Sequence, residues 1–162
     1  MKKIGMLVAV EIDAVLKQFG EPKEPVIITG YKIYKYNLED MELFVIHSGA
    51  GEIAAASATQ LLISSFGVEL LINFGVVGGL TEEMALSKTC IVEKVVHYDF
   101  DTSDYDHCEV GRYMDYPDVF IPTTEELVLK AVLLEPSLKK VICASGDKFV
   151  GSMEKKQELH NK

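Results

Sequence analysis

Runs of apolar residues too short for helices and too uniform for a half-exposed sheet constrain this chain more than any other feature. Ile4–Val10, Glu42–His47, Glu69–Phe74 and Lys139–Ala144 each have strand length. Strands that are apolar on both sides are covered on both sides, which calls for a sheet with helices on each face. Helix-compatible stretches do follow several of them: Glu11–Phe19, the alanine-rich Glu52–Ser65 and the final Gly151–Asn161. Tyr31–Leu38 and Met41–His47 flank Glu39-Asp40 and read as an antiparallel hairpin, so the sheet is expected to be mixed. Val92–Tyr98 adds a strand, and Thr123–Leu134 a helix whose Thr123 or Thr124 would cap the turn carrying Glu125 and Glu126. There is no repeat, low-complexity tract or linker. The expectation is a single α/β domain over residues 1–162, a mixed twisted sheet flanked by helices.

Composition narrows the function classes. At 162 residues and 48% hydrophobic, the chain can bury a core and is not a disordered segment. It carries 16 Lys and Arg against 25 Asp and Glu, a net charge of −9, and Arg112 is its one arginine. So acidic a surface repels phosphate backbones and anionic lipid, which argues against nucleic-acid and membrane-surface partners. Cys90, Cys108 and Cys143 are odd in number and widely spaced, as reduced thiols are, with no disulfide framework. The opening Met1-Lys2-Lys3 before an apolar run mimics a signal peptide. The run is closed by Glu11 and Asp13 and lacks a small-residue cleavage site, so it reads as a strand. No apolar stretch approaches the ~20 residues of a membrane span. A cytoplasmic, soluble protein is expected.

In a sheet of this kind ligands sit beyond the carboxyl ends of the strands, where Ser48–Gly51, Gly75–Gly79 and Ser145–Asp147 all fall, so a common crevice is expected there. Gly75-Val76-Val77-Gly78-Gly79 is neither a dinucleotide fingerprint nor a Walker loop and, alone, reads as a tight turn. Ser48-Gly49-Ala50-Gly51 opens a helix; its ordinary reading is a capped start with Ser48 as the cap, its functional one a polar ligand at free N–H groups. Glu11 and Asp13 suit the positive end of a helix dipole, although a carboxylate at a strand end can also act as a general base. The stretch from His97 through Asp118 carries seven acids, which fail the calcium-loop pattern and read as a solvated loop. His47, His97, His107 and His160 have no ligand spacing among themselves or with cysteine, and no metal is assigned.

The order of these segments is more specific than any one of them. Lys3-Ile4-Gly5 with Ala9 and Glu11, Ser48–Gly51 with Ala54-Ala55-Ala56, Asn73 and Gly75 with Gly78-Gly79-Leu80, Tyr98–Asp101, and Ser145–Ser152 follow one another along the whole chain. The chain resembles the 5′-methylthioadenosine/S-adenosylhomocysteine nucleosidases of the nucleoside phosphorylase superfamily. The resemblance implies a nucleoside phosphorylase-like fold and hydrolysis of an adenine nucleoside to adenine and a thioribose, through a ribosyl cation-like state. It places Asp13 where the family carries the glutamate that activates water. Phe149 would stack on adenine and the Val150 backbone would read its polar edge. Val76, Val77 and Gly78 would floor the ribose and base, and Val10, Ala50 and Thr102 would border the 5′-substituent. Tyr105 would be supplied across the interface of a homodimer. The ligand is then a small adenine nucleoside, with no cofactor.

The resemblance also has departures. Asp13 is one methylene shorter than glutamate, drawing the carboxylate back by ~1 Å, a displacement that can cost about 10²-fold in rate. Val76 stands where a serine is usual. The family's Met-Glu pair that grips the ribose hydroxyls, and the Asp that protonates adenine, correspond to positions beyond Lys162, so a C-terminally truncated form of low or no activity alone is expected. Two other readings stay in view. A purine nucleoside phosphorylase needs cations to hold phosphate, and Arg112, alone in the acidic loop, is a poor clamp. A non-catalytic nucleoside-binding or assembly protein would bind without turnover.

Overall fold

Successive residues of a strand point to opposite faces, and both faces carry buried side chains along Lys2–Val8, Tyr31–Leu38 and Met41–His47. The apolar runs at Leu70–Phe74 and Lys139–Ser145, expected to be covered on both sides, instead stay partly or largely exposed. The computed structural model describes residues 1–84 and 89–162. They form two units, Met1–Val77 and Gly78–Lys162. In the first, β1 (Lys2–Val8), β2 (Val26–Ile28), β3 (Tyr31–Leu38), β4 (Met41–His47) and β5 (Leu70–Phe74) make a sheet in the order β2-β3-β4-β1-β5. β1 runs parallel to β4 and β5, while β2-β3 and β3-β4 are antiparallel, so the sheet is mixed as expected.

Leu7, Ile33, Phe44 and Ile46 cover one face together with Ala58 of α2 (Glu52–Leu61) and Leu62 beyond it. Val8, Tyr34, Leu43 and Val45 cover the other, with Ile12 and Val15 of α1 (Ile12–Phe19). The odd–even alternation along β3 and β4 thus splits the apolar run between two cores. Ile33, Val45, Ile46, Val8 and Leu62 are fully buried, each worth about 1.5–3 kcal/mol of transfer free energy. Gly5 lets this layer close: a Cβ there would lie 2.9 Å from Leu71 Cδ2 and 3.0 Å from Leu62 Cδ1. After α2 the chain widens into a π turn, Leu62–Phe66, which Gly67 ends in the left-handed region at φ 63°.

The second unit holds β6 (Cys90–His97), β7 (Phe120–Pro122) and β8 (Lys139–Ser145) in the order β7-β6-β8, with β6 parallel to β8 and antiparallel to β7. The register slips between Val92 and Lys94, a bulge at Glu93. Its helices are the short α3 (Ser103–Asp106), α4 (Glu125–Leu134) and α5 (Met153–Asn161). Among the described residues no helix is long and apolar enough to cross a membrane.

Both capping expectations are corrected. Thr124 precedes α4 but makes no side-chain cap, and Thr123 Oγ1 instead donates to the carbonyls of Val92 at 2.9 Å and Glu93 at 3.0 Å. The bulge leaves those carbonyls available, and Thr123 is drawn into the sheet edge rather than to the helix. Ser48 does not cap α2 either. Gly51 holds the cap position, and the Ser48 hydroxyl donates to the Gly49 carbonyl at 2.9 Å.

Candidate functional site

β1, β4 and β5 are parallel neighbours, so their carboxyl ends emerge side by side, and most site residues expected in the first unit lie there. Val10 follows β1, Ala50 follows β4, and Val76 and Val77 follow β5. Ser48 ties β4 to β1 by donating its N–H to the Val8 carbonyl at 2.9 Å. The turn from β4 into α2 needs glycine on both sides of Ala50, because Gly49 has φ 78° and Gly51 φ 101°. Ala50 is thereby exposed, as are Val10, Val76 and Val77. Apolar side chains standing open at a strand end are the lining a ligand would cover.

Asp13 lies in the first turn of α1, exposed, its position fitting the helix dipole as well as a base facing solvent water. Glu11, just before α1, does more than the sequence indicated. Its Oε1 accepts the Val76 N–H at 2.9 Å and its Oε2 accepts the Val10 N–H at 3.2 Å. The Val76 bond holds the Glu11 carboxyl below the usual carboxylate range, with Val10 adding to the effect and partial burial opposing it. Glu11 and Val76 are 65 positions apart, so no local pattern announces the contact. The only hint is an acid after one apolar strand and a glycine, Gly75, after another.

In the second unit, the segment after β8 folds back onto the segment after β6. Tyr98 donates its N–H to the Ser145 carbonyl at 2.9 Å and its hydroxyl to the Lys148 carbonyl at 3.4 Å. The Asp99 carboxylate stands between His97 Nε2, at 3.2 Å, and Lys148 Nζ, at 3.8 Å. His97 Nδ1 meets the Tyr113 hydroxyl at 2.7 Å, and the Phe100 and Tyr113 rings stack with centroids 4.4 Å apart. The acidic stretch is therefore not only a solvated loop. Asp101 takes the N–H and hydroxyl of Ser103 at 3.0 and 2.6 Å to start α3, and Asp118 takes the Phe120 N–H at 2.8 Å.

This arrangement presents the other expected residues. Gly78 opens the unit without steric crowding. Thr102, half-buried, precedes α3 with its hydroxyl 3.9 Å from Cys108 Sγ. Tyr105 on α3 is 87% exposed. Phe149 is 99% exposed, a ring free on all sides to stack, and Val150 beside it is half-buried. Ser152 then caps α5 by accepting the Lys155 N–H at 3.2 Å.

Known proteins share this plan. The family model of the Phosphorylase superfamily matches residues 3–162. An aminodeoxyfutalosine nucleosidase of Helicobacter pylori is 32% identical over 98% of this chain and 71% of its own length. A 5′-methylthioadenosine/S-adenosylhomocysteine nucleosidase of Staphylococcus aureus is 30% identical over 96% of this chain and 70% of its own. Among solved structures, a Helicobacter pylori 5′-methylthioadenosine/S-adenosyl homocysteine nucleosidase superposes with a TM-score of 0.88 at 30% identity, covering 99% of this chain and 71% of that one. By its sequence and its match to the family model, the chain belongs to the Phosphorylase superfamily, among relatives named as nucleosidases.

Proposed function

We propose that this protein is an N-glycosidase that hydrolyses adenine nucleosides of the 5′-methylthioadenosine/S-adenosylhomocysteine type to adenine and a thioribose. The observation that carries the reading is the agreement of nearly the whole chain with proteins named as nucleosidases, 30–32% identical. In the reaction the bond between the ribose anomeric carbon and the base nitrogen breaks. Its electron pair leaves with adenine, which takes up a proton from solvent, and the oxygen of a water bonds to the anomeric carbon while that water's proton passes through a base back to solvent. Asp13 takes the proton from that water. Its exposure supports this role, because a base must reach solvent.

Phe149 stacks on the adenine ring and the Val150 backbone reads its edge. Val76, Val77 and Gly78 floor the ribose and base, and Val10, Ala50 and Thr102 border the 5′-substituent. The same reading carries one phosphorylase-type domain over residues 1–162, neither cofactor nor metal, and a cytoplasmic homodimer to which Tyr105 contributes. Its 87% exposure suits a side chain offered to a second copy.

The test is adenine release from 5′-methylthioadenosine in phosphate-free buffer. Release that phosphate leaves unchanged supports hydrolysis. Strict dependence on phosphate assigns a phosphorylase instead, and binding without release assigns a non-catalytic nucleoside-binding protein.

A further inference from the structure

The ladder between β1 and β5 ends at Val8 and Phe74, and the two backbones part beyond it. Val10 and Val76 occupy the next equivalent positions, two residues past that last pair. Their N–H groups have no strand to bond to, yet both are held, by the two oxygens of one carboxylate, Glu11. The side chain takes over where the sheet stops. Gly75 makes room for it: a Cβ there would lie 3.0 Å from Glu11 Oε2 and 3.4 Å from its Cδ. The Glu11 carbonyl accepts the Ala14 N–H at 3.0 Å, so the same residue starts the helix that carries Asp13.

We propose that Glu11 is a positioning residue of the nucleoside site: its carboxylate pins Val10 and Val76 where two parallel strands diverge, and so sets the gap that receives the ribose and its 5′-substituent. This rests on the nucleosidase reading given above. Only an ionised carboxylate suits the position, because it accepts at both oxygens and donates at neither. Glutamine would keep one acceptor and turn an N–H₂ toward a backbone N–H. Aspartate, one methylene shorter, would not span both amides. The role differs from that of Asp13: Glu11 spends its acceptors on the backbone, whereas Asp13 is free to take a proton from water.

The test compares the 162-residue chain with its Glu11→Gln and Glu11→Ala variants by amide hydrogen exchange and by calorimetric binding of 5′-methylthioadenosine and of adenine. In Glu11→Ala the Val10 and Val76 amides should exchange about tenfold faster or more, as expected for losing bonds to a charged acceptor. The nucleoside should lose at least about tenfold more affinity than adenine does in either variant, because adenine keeps Phe149 and Val150 and meets only Val76 of the two pinned residues. A residue that only supports the fold would weaken both ligands alike, and that result overturns the proposal. So does unchanged exchange at Val10 and Val76, or unchanged nucleoside binding by both variants. Failure of the unaltered chain to bind 5′-methylthioadenosine overturns the nucleoside reading and this role with it, and the exchange rates then report on the clamp as a purely structural device.

Discussion

Gly146 leaves the space that the Tyr98 ring fills: a Cβ at Gly146 would lie 2.5 Å from Tyr98 Cζ and 2.6 Å from Asp99 Oδ1. The glycine of Ser145-Gly146-Asp147 is thus required by the tyrosine and acid that follow β6. Its backbone φ is not in the left-handed region, so close approach, not dihedral freedom, is what selects glycine here. Gly146→Ala should therefore destabilise the protein by about 1–3 kcal/mol, the usual cost of forcing an extra methyl into a packed site. Gly78→Ala, with nothing within 4 Å of the added atom, should change stability by no more than about 0.5 kcal/mol. Urea unfolding midpoints of the two variants check the pair.

Asp13 carries the hydrolytic step in the proposed mechanism and is exposed. Asp13→Asn should lower adenine release by about 10²- to 10⁴-fold, the range for loss of a general base, with nucleoside affinity nearly unchanged. Asp13→Glu restores the longer carboxylate of the nucleosidases and should release adenine at least as fast as the unaltered chain. Single-turnover rates at saturating substrate make the comparison.

Phe149 offers a test of base recognition that leaves stability alone. Its ring is 99% exposed, so Phe149→Ala removes no core contact. Stacking one base on an aromatic ring is worth about 1–3 kcal/mol, so adenine should bind between about fivefold and about a hundredfold more weakly. An unchanged adenine dissociation constant in a calorimetric titration would remove Phe149 from the site.

Acid should destabilise this chain through identifiable groups. Hydrogen bonds made in the fold hold five carboxyls below their usual range: Glu11 through the Val76 N–H, Asp101 and Glu135 chiefly through the hydroxyls of Ser103 and Ser137, Glu42 through Lys35, and Glu158 through Lys155 and Lys162. A carboxyl with a lowered folded pKa takes its proton more readily when unfolded. Its contribution is complete above the ordinary carboxylate range and drains away as pH falls through the lowered folded value. The unfolding midpoint should be level from about pH 7 to about pH 5.5 and fall below about pH 4.5. These groups face solvent, which keeps each contribution small. Glu11→Gln should show a shallower fall, read from urea midpoints at neutral and acid pH.

How much of this was legible in advance depended on how far apart the interacting residues lie. The hairpin of β3 and β4 was readable because its two strands and the Glu39-Asp40 turn are contiguous. The strands β1, β5 and β8 were readable from uniform apolarity, though β1 ends at Val8, two residues short of the apolar run. β2, α3 and β7 were not, since segments of three or four residues carry too little periodicity to declare themselves. The caps assigned to Ser48 and Thr123 failed for a related reason. A hydroxyl chooses among every acceptor the tertiary structure brings near, and the sequence names only the local ones.

By itself the sequence determined the class of fold, the mixed strand directions and the segments that end strands in glycine, because these follow from burial on two faces and from steric limits on the backbone. The family motifs, read in order, pointed to the nucleosidases. Only the tertiary structure decided what the polar groups at the strand ends do. It gave both oxygens of Glu11 to the amides of Val10 and Val76, left Asp13 open to water, and turned Asp101 from a loop charge into the start of α3. Hydrophobic pattern is a property of neighbours in the chain, whereas a hydrogen bond is awarded by position in space, and Glu11 and Val76 become neighbours only once β1 and β5 have paired.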